Sequence, residues 1–110
     1  MSMAREELAE RVRALLPPRV HCLEKKMFGG IAFMRNGNML VAPLKDGSML
    51  ARVGKEGMDD ALARGASIMD MNGRSMSGFV LLSSDMVEDD DALSEWLQRC
   101  LLFVDTLPQK

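Results

Sequence analysis

A base and a thiol stand side by side at one place in this chain of 110 residues, His21-Cys22. Thiolate chemistry needs the two side chains within hydrogen-bond reach, and neighbours on an extended strand point to opposite faces. The pair therefore reads as a surface histidine and a small sheltered thiol. Cys100 falls on the apolar stripe of a helix, which is a core position and not a redox site. Gly29-Gly30 has the composition of a phosphate loop, but such loops run into a helix, and the residues that follow have strand periodicity. The acidic run at 85–91 lacks the alternating ligands and turn glycine of a calcium loop. With one histidine, no tyrosine and no cysteine pair at ligand spacing, a zinc site or a histidine-rich catalytic centre has little to be built from. No metal, no cofactor and no catalytic residue are expected. What remains is binding, for which Lys25, Lys26 and Arg52 are the candidates to hold an anion.

The chain that must position these residues is an ordinary globular one, 47% apolar and 27% charged, large enough to bury a core without disulfides. Its two cysteines read as free thiols. The longest uncharged stretch, residues 75–84, is far too short to span a bilayer. Charge appears by Arg5 and there is no apolar leader, so a cytoplasmic protein without membrane contact is expected. Residues 21–57 carry Lys25, Lys26, Arg35, Lys45, Arg52 and Lys55 against Glu24, Asp46 and Glu56, a balance of +3. Residues 85–110 carry Arg99 and Lys110 against Asp85, Glu88, Asp89, Asp90, Asp91, Glu95 and Asp105, a balance of −5. A net charge of −2 disfavours direct binding to nucleic acid, where phosphate neutralisation dominates affinity.

Leu8, Val12, Leu15 and Leu16 make one stripe of a 3.6-residue repeat, and Pro17-Pro18 ends that helix. From Leu23 to Val53 the period becomes two. Asn36-Gly37 predicts a two-residue hairpin pairing Arg35 with Asn38, Met34 with Met39, Phe33 with Leu40 and Ile31 with Ala42. Asp46-Gly47 predicts a second hairpin pairing Leu44 with Met49, Ala42 with Ala51 and Leu40 with Val53. Together they put Ile31, Phe33, Leu40, Ala42, Leu44, Met49, Ala51 and Val53 on the core face of a three-stranded meander. Ala32, Met34, Met39, Val41, Pro43 and Leu50 fall on the other face. Gly29-Gly30 is expected to form a bulge in a long first strand, with one of the two glycines in a conformation closed to other residues. Met58, Ala61 and Leu62 mark a short helix ended by Gly65. Two further strands, residues 67–71 and 79–83, are expected around a loop through Ser75-Met76-Ser77. Leu93, Trp96, Leu97, Cys100, Leu101, Val104 and Leu107 give the strongest helical stripe, with aspartates at its start. The fold class is α+β, a two-layer antiparallel sheet with helices on one face, in the order α-β-β-β-α-β-β-α.

Lys25-Lys26-Met27-Phe28-Gly29-Gly30-Ile31-Ala32-Phe33-Met34, followed by Asn36-Gly37-Asn38-Met39, resembles the opening of a TfoX N-terminal domain, whose hallmark is the Met-Phe-Gly-Gly at Met27, Phe28, Gly29 and Gly30. Arg52-Val53-Gly54, the segment from Gly73 through Gly78 to Phe79, and Trp96 fit the same pattern, so the resemblance covers roughly residues 5–107. It implies a two-layer α+β domain from a family named after bacterial regulators of competence genes (TfoX/Sxy), which act with the transcription machinery. Those regulators carry a second, helical domain; here residues 1–110 are expected to be one stand-alone domain. The family offers no catalytic residues to carry over.

The function expected is a non-catalytic regulatory or protein-interaction module with a protein partner in transcription regulation. The alternative is a small-ligand-binding domain or minor enzyme with a pocket between sheet and helices. Eleven methionines suit either core filling or an adaptable contact surface. Met34, Met39, Val41 and Leu50, turned away from the core face, are the expected surface of a homodimer or partner contact.

Overall fold

A computed structural model describes residues 4–18, 20–27, 29–71 and 74–109, and at 27, 69–71 and 74–77 the backbone alone. The elements run α1 (Ala4–Leu15), β1 (Leu23–Met27), β2 (Gly30–Arg35), β3 (Asn38–Pro43), β4 (Met49–Arg52), α2 (Lys55–Ala63), β5 (Ser67–Met71), β6 (Arg74–Leu82), a 3₁₀ turn (Ser84–Val87) and α3 (Asp90–Val104). The class is the expected α+β, and helical and extended segments alternate as the periodicity requires. Six strands form one antiparallel sheet in the order β1-β2-β3-β4-β6-β5.

The helices pack on one face of this sheet. From α3, Leu93, Trp96, Leu97, Cys100, Leu101 and Val104 are buried; α1 adds Leu8, Ala9 and Val12. They close over Ile31, Phe33, Leu40, Val41, Met49, Ala51, Val80 and Leu82. Asp89 caps α3, its carboxylate accepting from the Ala92 backbone N–H at 3.1 Å, which satisfies one of the donors a helix start leaves open.

Between Leu23 and Val53, three expected details change. The Gly29-Gly30 pair is not a bulge in one long strand. Met27 pairs with Gly30, so β1 and β2 are a hairpin, with Gly29 in its turn at φ +72°. The glycine conformation is the expected one; the element around it is a turn, and Phe28 lies outside the described residues. Second, Arg35 pairs with Asn38 and Met34 with Met39 as the Asn36-Gly37 turn dictates, but a register shift after Met34 sets Phe33 opposite Val41. Third, the next turn is longer than two residues. The Asp46 carboxylate accepts from both the backbone N–H and the hydroxyl of Ser48, and Leu44 N–H bonds Ser48 carbonyl at 2.8 Å. Val41 therefore pairs with Ala51, Ala42 with Leu50 and Pro43 with Met49.

These shifts move Val41, Ala42 and Pro43 to the opposite faces from those expected, Pro43 now standing beside Met49 on the helix side. Val41 belongs to the core under the helices, and Ala42 to a second cluster with Ala32, Met39 and Leu50 on the opposite face. One-residue slips do this because side chains alternate along a strand.

Residues 75–77 are strand, not loop. Met71 pairs with Arg74 and Asp70 with Ser75, while Ser67 and Ile68 pair with Leu81 and Val80, so extra residues accumulate on β6. Gly78 lies there at φ +88°, and its carbonyl accepts from the backbone N–H groups of Val53 and Gly54 at 2.9 and 3.0 Å. Residues 72 and 73, expected in this connection, lie outside the described set.

Candidate functional site

Lys25 and Lys26 are exposed neighbours on β1, which with β5 is one of the two edge strands of the sheet. Lys25 pairs with Ala32 and so points to the face without helices; Lys26 pairs with Ile31 and points to the helix side. Glu24 also lies on the helix side, where the Arg13 guanidinium of α1 donates two hydrogen bonds to it, both at 2.6 Å. Those bonds hold the Glu24 carboxyl below its ordinary range. Among the described residues, no carboxylate lies within ion-pair distance of Lys25 or Lys26. The Lys26 charge adds to the hydrogen bond from Arg5 in lowering the Glu6 carboxyl.

Arg52 is not brought to these lysines, for β2 and β3 separate β1 from β4. Its guanidinium stacks 5.1 Å over the Phe79 ring. It lines a cleft of about 580 Å³ with Gly54, Lys55, Gly78, Phe103 and Thr106. Two segments far apart in sequence, ending at Gly54 and opening at Gly78, meet backbone to backbone here. A Cβ on Gly54, at φ +82°, would come within 2.6 Å of the Phe103 ring.

Of the four residues expected on a contact surface, only Met34 keeps much surface. Met39 is 8% exposed and Leu50 completely buried, both in the second cluster with Ala32 and Ala42, and Val41 is under the helices. The face turned from the helices is thus buried at its centre, with Met34 and Phe79 packed against Ala32, Met39, Ala42 and Leu50. Apolar surface survives at its margin. Leu23, which pairs with Met34 on that face, is 71% exposed, and Met34 and Phe79 are half-buried. Sequence reasoning gave Leu23 no role, since a single leucine carries no sign of its exposure.

His21 is exposed and Cys22 half-buried in the segment entering β1. Burial pushes the Cys22 thiol up despite the nearby charge of Arg35. Cys100 is buried and pushed up to about 12 by desolvation. Both are free thiols. A thiol reagent at neutral pH is expected to label Cys22 in the folded protein and Cys100 only with denaturant, checked by mass spectrometry of the intact chain. Equal labelling of both without denaturant would contradict this burial. Among the described residues no cluster of three or more His, Cys, Asp or Glu is placed to share a metal ion, and no helix is long and apolar enough to cross a membrane.

The hairpin of β1 and β2, the Arg52–Gly54 segment against Gly78, and Trp96 buried on α3 place each part of the quoted pattern within one fold. A family model described as TfoX N-terminal domain matches residues 14–104. The chain belongs to this family. The match takes in β1 through α3, every strand of the sheet. Within this TfoX N-terminal domain, the glycines of the Met27–Gly30 motif have an architectural use. Gly29 supplies the turn, its carbonyl accepting from Arg5 at 3.1 Å, and Gly30 passes so close to β3 that a Cβ would lie 2.4 Å from the Pro43 carbonyl oxygen. No curated protein matches the sequence.

Proposed function

We propose that this TfoX N-terminal domain is a non-catalytic regulatory module that docks a protein partner at the β1 margin of its sheet, on the side away from the helices. One observation carries the proposal: Leu23, 71% exposed, sits beside half-buried Met34 on a sheet edge, where a leucine gains nothing from folding alone. The resemblance to competence regulators supports a role exercised through another protein. A second copy is the less favoured occupant. The acidic helix α3 and the Lys25 side of the sheet are on opposite layers, so a contact matching basic to acidic surface would run head to tail and not as a twofold pair.

A photo-crosslinking amino acid at position 23, introduced in cells of the source organism, tests this against the same probe at Leu102, which is 76% exposed on α3. Position 23 is expected to give one adduct of defined mass, lost when Met34→Lys is added, and position 102 is expected to give none. No adduct from position 23, or the same adduct from both positions, would overturn the proposal. Sedimentation of the purified domain reports separately on a homodimer.

A further inference from the structure

Resting on that reading, we infer that the partner segment at β1 is an extended acidic strand, which adds to the sheet as a seventh strand beside Lys25 and Lys26. An edge strand offers unpaired backbone groups along one side, and an added strand takes its specificity from side chains opposite its own. On β1, Leu23 and Lys25 face the open side, while Glu24 and Lys26 face the helix side. Glu24 is already held by Arg13 through two hydrogen bonds. The edge therefore presents an apolar position and two cations on opposite faces, and no carboxylate free to receive a base.

This arrangement selects among partners. Exposed lysines on an edge ordinarily prevent sheets from joining. In a twofold pairing of two β1 strands that keeps the helices of both copies on one side, in the register setting Glu24 opposite Lys26, Lys25 falls opposite Lys25, a like-charge contact. The same lysines attract a strand of the opposite sign. Such a strand, running antiparallel, reads acidic opposite Lys26, acidic opposite Lys25, unconstrained opposite Glu24 and apolar opposite Leu23. At this end of β1, Leu23 and Met34 border a groove of about 600 Å³ that Val20, Cys22, Asn36 and Gly37 also line.

The test uses the whole domain, isotope-labelled, and two capped peptides, Thr-Glu-Glu-Thr-Val-Thr and its counterpart with lysine at both glutamates. The acidic peptide is expected to produce saturable amide shifts confined to β1, Met34 and the groove, and the lysine peptide none. The double variant Lys25→Glu with Lys26→Glu, at two exposed positions, should bind the acidic peptide about tenfold or more weakly, since two cross-strand attractions become repulsions, and should accept the lysine peptide. No saturable shift up to millimolar acidic peptide, shifts centred elsewhere, or equal binding of both peptides would overturn the inference. If the position-23 adduct forms while the acidic peptide fails, docking at this margin stands and its strand chemistry falls. If neither is seen, both fall.

Discussion

Phe33→Ala is expected to lower the unfolding free energy by about 3–5 kcal/mol, the range for removing an aromatic ring from a packed core. Phe33 is 1% exposed on β2, opposite Glu24 of one neighbouring strand and Val41 of the other, on the face that α1 and α3 cover. The surroundings have little freedom to collapse into the space, since the strands on both sides are fixed in the ladder. A domain of this size has roughly 5–15 kcal/mol of stability in total, so the variant should be marginal at room temperature. Urea unfolding measures it, with the midpoint moving and the slope unchanged. A loss below about 1 kcal/mol would mean that Phe33 does not fill the centre of this core.

Gly30→Ala should cost about 3 kcal/mol, at the upper end of what added volume costs in a packed site. The new Cβ would stand 2.4 Å from the Pro43 carbonyl oxygen and 2.7 Å from Leu44 Cδ2. A leucine methyl can swing away. The carbonyl cannot, because β3 is pinned between β2 and β4. Gly29→Ala is the control. Its Cβ meets nothing nearer than Lys45 Cε at 4.0 Å, so only the φ of +72° penalises it, by about 1–2 kcal/mol. Two adjacent glycines are thus required for different reasons, one for space and one for backbone conformation. Thermal unfolding of both variants orders them, and a Gly29 variant less stable than the Gly30 variant would contradict the close approach of β2 to Pro43.

What the sequence made legible follows from where polar and apolar residues alternate. The stripe on α3 is bounded by charged residues, and the helix lies where the stripe says. The Asn36-Gly37 turn sets the first two pairs of β2 with β3 because both turn residues adopt positive φ, 53° and 82°. Register was lost farther along β3 for a plain reason: all six of its residues are buried, so a slip of one position exchanges apolar for apolar and leaves no trace in the pattern. The turn at Asp46 takes three residues instead of two because the Asp46 carboxylate holds Ser48 inside it, alongside the backbone bond from Leu44 to Ser48, and a turn dipeptide does not show that contact. At the candidate site, Lys25 and Lys26 could be singled out by charge, but their positions on opposite faces of a free edge depend on strand order. The meeting of Arg52–Gly54 with Gly78 joins residues more than twenty positions apart, which local periodicity cannot reveal.

The burial of six α3 side chains in the core, with α3 packed on β3 and β4, has a consequence for the chain as it is made. α3 begins at Asp90, well after β4 ends at Arg52, so the strands leave the ribosome before their principal cover exists. At about 5–20 residues per second that interval lasts on the order of seconds, long compared with the collapse of an apolar surface. During it the sheet face bearing Phe33, Leu40 and Met49 is open to any neighbouring nascent chain. α1, synthesised first and packed on β2 and β3 in the finished fold, supplies the early shelter, and α3 completes it.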